Sequence, residues 1–492
     1  MGSRFCRVLL VCLLAAPPLA LAPASAPAKV LDVDNPRFHS FAGFAETMAM
    51  IGDVNGDGAS DFLVGSYNDP VEAHVRFGLE RLRSAAEMKV VREGRAFVFS
   101  GTGGELLYTV DSPKSPEVEA ARYSRFGLGF GCAVAALGDV SRDGTPDFAV
   151  GAFSHSRSGR VFIFSGRDGS LLATLTDPTL PEEAAFGWAL ASLDAGRGGA
   201  AANTIAVGAP GVDKVIVFSA EGAKRLFAVG NPAGPGAFGW ALDRAGDVNG
   251  DGVSDLIVGA PYQDLGGKGS SGRVVPQRAG SLGAAPEKAA EEHRRNRVHG
   301  QAFVFSGANG NPLLTLDDPT PTPGAALGWV VAGPGDVNKD GTPDLLVSAP
   351  YRDAEQVRSQ GAVFLFSGKD GSLLYALATP NPHSFSIFGL FAAGAGDVNG
   401  DDAPEIVVGA PYQTVDLYSL QGQLFVYNGR DGRHLFTFDD PYPQQGALFG
   451  SAALVPGDLD GDAVPEFIIG APGQSLDGKP AVGRIFIFTS KP

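Results

Sequence analysis

The chain has 492 residues, a length that simple scaling would divide into two or three domains, and carries 54 acidic against 38 basic residues for a net charge of −16. That balance, with no basic aromatic platform in the sequence, excludes a nucleic-acid partner. Residues 1–28 read as a secretory signal: Arg4 and Arg7 precede the apolar run "VLLVCLLAAPPLALA", small residues follow in "PASAPA", and cleavage is expected after Ala28. Pro17 and Pro18 interrupt a run already short for a membrane span, and no later stretch is long enough to be a transmembrane segment. The expected address is secreted: extracellular, cell-surface associated or periplasmic. Cys6 and Cys12 leave with the signal, so Cys132 remains alone and stability must come from core burial, bound metal or both.

From residue 29 onward the chain repeats. Acidic loops begin at Asp53, Asp139, Asp194, Asp247, Asp336, Asp397 and Asp458, spaced by 53 to 61 residues except where insertions stretch two steps to 86 and 89. Each unit holds four short segments rich in branched and aromatic residues, punctuated by Gly, Pro and Asp. In the fifth, "LGWVVAGPG" is the first strand, "DVNKDGTPD" the loop, "LLVSAP" the second strand, "GAVFLFSG" the third, and "SLLYALATP" the fourth. Turns such as "GRDG" and "GANG" supply the positive-φ residues that tight hairpins need. Seven four-stranded antiparallel units predict an all-β fold, a seven-bladed β-propeller. The last unit stops after its third strand, and "VLDVDNP" at 30–36 matches the fourth-strand pattern of "LLATLTDP" at 171–178. The N-terminal strand is therefore expected to complete the last blade, making residues 29–492 a single closed domain.

The acidic loops point to a cation. Calcium takes six to eight oxygens, and acidic side chains at alternate positions can wrap one ion. In the first loop Asp53, Asn55 and Asp57 offer side-chain oxygens, Ala59 a carbonyl and Asp61 a carboxylate at position nine, while Gly58 allows the sharp turn. The fourth unit repeats this with Asp247, Asn249, Asp251, Val253 and Asp255, and the fifth with Asp336, Asn338, Asp340, Thr342 and Asp344. The second has Asp139, Asp143, Thr145 and Asp147, with Ser141 giving only a hydroxyl at position three, which predicts weaker binding. The sixth has Asp397, Asn399, Asp401, Ala403 and Glu405, with Asp402 in place of the turn glycine. The seventh has Asp458, Asp460, Asp462, Val464 and Glu466, with Ala463 in that place. The third, "LDAGRGGAAANTIAVGAP", has no carboxylate after Asp194 and should be empty, so five to six calcium ions are expected.

An EF-hand would need a glutamate at position twelve and flanking helices, but position twelve of the first loop is Val64 inside a strand. The plainer alternative is a set of Asx-turns joining two strands. The six loops hold 20 of the acidic residues and leave the remainder at +4, so the acidity is largely loop charge rather than a field for a basic partner.

With "FGWAL", "GDVNGDGVSDLIVGAP" and "GRVFIFSG", the sequence resembles FG-GAP repeats, the units of the seven-bladed propeller of integrin alpha chains and of many exported bacterial proteins. The resemblance covers residues 29–492. It implies calcium in the hairpin loops on one face, at the positions named above, and a role in adhesion or ligand binding.

In such a blade the metal loops and third-to-fourth turns emerge at one end, and the connections after strands two and four at the other. The second set varies and holds both insertions, residues 70–93 and 264–299, which places recognition of an extracellular protein or glycan on the face opposite the metal. The stretch ending in His293, Arg294, Arg295, Arg297 and His299 reads as a solvated loop or a basic lid for acidic glycans, and "HVRFGLERLRSAAEMKVV" as a short helix over that face. Phe126, Phe186, Phe238, Phe388 and Phe449, each followed by glycine, are expected between blades, and Cys132 as a buried apolar thiol. No nucleophile elbow, zinc-binding histidine pair or phosphate loop occurs, so a monomeric binding or scaffold module is favoured over an enzyme. A hydrolase or lyase at the channel mouth is the alternative, since fold alone does not exclude catalysis.

Overall fold

The computed structural model describes residues 30–40, 42–69, 93–114, 127–193, 203–264, 286–295, 298–354, 356–462 and 464–489. Its strands form seven antiparallel sheets of four. The first strands of blades 1 to 7 are Phe44–Gly52, Phe130–Gly138, Leu190–Ser192, Ala241–Gly246, Val331–Gly335, Phe391–Gly394 and Ala452–Gly457. Each touches the first strands of the blades before and after it, and the seventh touches the first, so together they line the axis of a closed ring.

The middle strands explain the long apolar runs. In blade 4, Asp255–Ala260 and Gln301–Phe305 are buried along their whole length, because a blade has a neighbour on both faces. Leu256, Val258, Phe303 and Phe305 pack against Val215, Val217 and Val229 of blade 3. The alternate residues Ile257, Ala302 and Val304 face Leu345, Val347 and Phe364 of blade 5. At about 1.5–3 kcal/mol for each large side chain buried, these seams between blades are the core of the molecule.

The ring closes as the missing fourth strand predicts. Val30–Asp34 pairs antiparallel with Arg484–Phe488, Val30 opposite Phe488 and Asp34 opposite Arg484. Arg484 clamps one end of this strand, its Nε 2.6 Å from Asp34 and its Nη1 3.3 Å from Asp32.

Neighbouring blades approach so closely that one seam position excludes a side chain. A Cβ on Gly259 would lie 2.0 Å from the carbonyl oxygen of Gly328, and Gly151 and Gly208 meet the carbonyls of Gly187 and Gly239 in the same way. The residues before those positive-φ glycines are Phe186, Phe238 and Leu327, all buried, with Phe388 and Phe449 in blades 6 and 7. Phe126 lies outside the described residues, and in blade 2 the equivalent place belongs to Phe130, followed by Gly131 at φ +87°. The sequence holds "FG" at 126–127 and again at 130–131, and Phe130 is fully buried at this seam. Cys132 is fully buried, and its thiol donates to the carbonyl of Gly187 at 3.2 Å.

The described part of the second insertion differs from a solvated loop. In its described part, Pro286–Arg295 forms helix α1. His293 is buried against Tyr262, Trp329 and Tyr351, and burial pushes its imidazole down to about 4, so it is neutral near pH 7. Arg294 reaches Asp353 at 2.6 Å and Ser359 at 3.0 Å, and Arg295 pairs with Glu291 one turn away. Arg294 is thus turned toward the body of the propeller, while the Arg295–Glu291 pair stays exposed on the helix surface. Arg297, the helix expected in the first insertion and residues 1–28 lie outside the described residues.

Candidate metal centres

In each acidic loop the backbone folds around its own carboxylates. In the first, Asp53 Oδ1 accepts from the N–H of Gly56 at 2.6 Å and Oδ2 from that of Gly58 at 2.9 Å. Asn55 Oδ1 accepts from Asp57 N–H at 2.8 Å, and Asp61 Oδ2 from Val54 N–H at 2.9 Å. The N–H at position seven (Ala59, Thr145, Val253, Thr342, Ala403 and Val464) donates to the carboxylate at position five over 2.8–3.0 Å in all six loops. At position six Gly58, Gly144, Gly252 and Gly341 take φ of +84 to +93°, whereas Asp402 holds +65°, a left-handed conformation that costs a side chain roughly 1 kcal/mol. Ala463 and Asp194, with the rest of the third loop, are outside the described residues.

Position nine is the buried floor of each loop. Asp61, Asp147, Asp255, Asp344 and Glu405 are fully buried and Glu466 nearly so. Desolvation raises the carboxyl pKa of all six, that of Asp344 to about 6. At position five of two loops the shift is opposite: the hydrogen bond from Ala59 holds Asp57 low, and the Asn428 amide does the same for Asp401. A desolvated carboxyl floor beneath exposed acidic side chains is an arrangement whose charge a cation would neutralise.

How many carboxylates converge depends on arm length. Among the described residues, three or more come within 4.8 Å of one another in two loops: Asp397, Asp401 and Glu405, and Asp458, Asp460, Asp462 and Glu466. Both carry Glu at position nine, whose extra methylene reaches further in than the Asp of blades 1, 2, 4 and 5. In blades 1, 4, 5 and 6 the position-three Asn fills the centre. Asn399 Nδ2 donates to Glu405 Oε1 at 2.5 Å and to Asp401 at 3.2 Å, so a partly positive group sits among the acids; turning the amide over would offer Oδ1 to a cation instead. Blade 7 has Asp460 there, and Glu466 Oε1 is buried without a hydrogen-bond partner. An acidic cluster with an orphaned buried oxygen fits a divalent cation and does not fit a simple Asx-turn.

The turn after the third strand forms a second wall that sequence reasoning missed. Gly101, Gly166, Gly307 and Gly368 donate N–H groups to Asp61, Asp147, Asp255 and Asp344, and Asn428 Nδ2 lies 2.6 Å from Asp401. The signal was present in the recurring "SG" and "NG" that end the third strands. A Cβ on Gly101 would fall 1.9 Å from the carbonyl of Ser60, so only glycine brings this turn against the loop.

Among the described residues, apolar side chains pack together at the opposite end of the ring. Trp188, Trp240 and Trp329 follow the seam glycines of blades 3, 4 and 5, with centroids 4.9 and 4.7 Å apart in sequence. Tyr351, Tyr412, Leu448 and Ala290 of α1 join them in one cluster. On the same face Val415 and Tyr418 bridge a small loop whose tip exposes Leu417 at 96% and Tyr418 at 41%.

Fold and loops together define a seven-bladed β-propeller with acidic hairpin loops at one end. The FG-GAP repeat family matches residues 238–275 and 328–366, in blades 4 and 5. Human phosphatidylinositol-glycan-specific phospholipase D is 33% identical over 179 residues, 35% of this chain and 18% of that protein. Bovine integrin alpha-2 is 30% identical over 191 residues (37% and 16%), and human integrin alpha-IIb 31% identical over 205 (39% and 18%). The chain is an integrin-alpha-like FG-GAP propeller, and it spans under a fifth of the length of these relatives. No helix among the described residues is long and apolar enough to cross a membrane.

Proposed function

We propose that this protein is an exported calcium-binding propeller that serves as a ligand-binding, adhesion or scaffold module, with the loops at 53–61, 139–147, 247–255, 336–344, 397–405 and 458–466 holding the ions. The observation that carries the cation reading is the buried, desolvated carboxylate at position nine of every one of these loops, left with an oxygen lacking any partner in blade 7. Calcium would supply the neutralising charge, and the chain's own residues would orient it through the backbone bonds described above. Five to six ions should be counted by calorimetric titration of the metal-stripped protein; fewer than three would sink this reading.

Recognition is assigned to the opposite face, where Leu417 and Tyr418 stand exposed on a braced loop. An extracellular protein or glycan is the proposed ligand, and a protein and glycan array probed with calcium-loaded protein tests it. Leu417→Asp should abolish capture at unchanged Tm, and full capture by that variant would remove the assignment. A second reading, an extracellular hydrolase or lyase, draws on the similarity to a phospholipase. It would need a site away from the part of the mouth beside blades 3 to 5, where the three indole rings pack. Turnover of a phosphodiester or glycan substrate by the purified chain would establish it.

A further inference from the structure

We propose that the blade 7 loop is the second clamp of the ring closure, so that cation binding at Asp458, Asp460, Asp462 and Glu466 fixes the N-terminal strand in place; this rests on the cation reading given above. Blade 7 is the blade assembled from both ends of the chain, and its fourth strand is joined to the third by pairing alone. At one end that strand is held by charge, Arg484 against Asp32 and Asp34. At the other end the register carries the loop directly to the terminal strand. Gly457 lies opposite Glu466, the adjacent Phe467 opposite Phe488, and Phe488 opposite Val30. The cation loop and the unclamped Val30 therefore share one end of the sheet.

The same loop has the strongest need for a cation. Its four carboxylates converge within 4.8 Å, and Asp460 replaces the asparagine whose amide partly neutralises the cluster in blade 6. Glu466 is 1% exposed, and its Oε1 has no hydrogen-bond partner. Without a cation the four charges repel across the hairpin that carries the closing pair of strands. With one, the hairpin end becomes rigid, and the strand beside it gains a fixed template. Ring integrity is thus coupled to cation level at a blade whose closure has no covalent link.

Hydrogen exchange of the full chain, read by mass spectrometry in calcium and in EGTA, tests this. Calcium is expected to slow exchange at 30–34 and 484–488 together with 458–466, by about tenfold or more, and at lower calcium than it slows 247–255. Asp460→Asn, which restores the residue found in blade 6, should shift protection of 30–34 to higher calcium, while Asp251→Asn in blade 4 should leave 30–34 unchanged. Protection at 458–466 with no response at 30–34 would overturn the clamp and leave the cation reading intact. Equal loss of 30–34 protection in both variants would also overturn it. No response in any acidic loop would overturn the cation reading itself.

Discussion

The two ends of this propeller are held by opposite physics. At the loop end, six hairpins turn carboxylates inward and bury the one at position nine, an arrangement that costs free energy and that a cation would offset. At the other end, Trp188, Trp240, Trp329, Tyr351 and α1 fill the mouth with apolar surface and need no ion. The difference teaches that one repeat can carry two independent stabilising devices. The position after the seam glycine is free to vary from Trp to Cys132 or Ser451, whereas the loop positions barely vary in chemistry in six of the seven units, the third being the exception.

The largest expected effect breaks the two ends apart. Each cation site filled at a hundred times its Kd adds about 2.7 kcal/mol, so chelation should lower Tm by roughly 10 °C or more while tryptophan emission below the transition stays constant. An early red shift of that emission would show that mouth and loops are one unit. Next in size, Trp240→Ala removes a nearly buried indole at the centre of the plug and should cost about 3–5 kcal/mol, with and without calcium alike. A calcium affinity altered in that variant would contradict the independence of the two ends.

The shape of the loop end was legible in the sequence, because such a loop is local: nine consecutive residues set both the turn and the carboxylates that it gathers. The fold was legible for a related reason, since repetition placed the fourth strand missing at Pro492 onto Val30–Asp34. What could not be read is what depends on distant residues. Gly101 and Asn428 join the loops across 40 and 27 residues, and the blade 2 seam is taken by Phe130 at the start of its strand rather than by a residue that spacing alone picks out. Helix α1 was hidden because its residues 286–295 look charged and solvated, and its burial depends on the Trp and Tyr of three other segments.

A third prediction concerns a carboxyl that belongs to neither end's device. Asp440, in the connection between blade 6 and blade 7, is 3% exposed, and burial raises its pKa to about 6 despite the hydrogen bond from Tyr442 N–H and the nearby Arg484. Because the unfolded chain gives up this proton first, its contribution to stability is fully present below about pH 4 and is lost as pH rises through about 6. Asp440→Asn, of the same shape, should therefore raise stability at pH 7 by on the order of 2–3 kcal/mol and flatten the pH dependence between 4 and 6. A destabilised variant at pH 7 would mean that the ionised form is used.

The smallest effect sharpens how α1 is attached. Its guanidinium at Arg294 contacts both oxygens of Asp353, at 2.6 and 3.3 Å, and Ser359 Oγ at 3.0 Å, in a partly exposed position. Such forked pairs are stronger than single surface ion pairs but still screened, so a double-mutant cycle of Arg294→Ala with Asp353→Ala should give a coupling of about 1 kcal/mol. The loss should show as faster exchange in 286–295 with little change in global Tm, since the helix opens locally. Additive effects would mean instead that the buried Ala290 and His293 hold the helix by packing alone. In that case His293→Ala, which empties the space against Tyr351, should release 286–295 while Arg294→Ala does not.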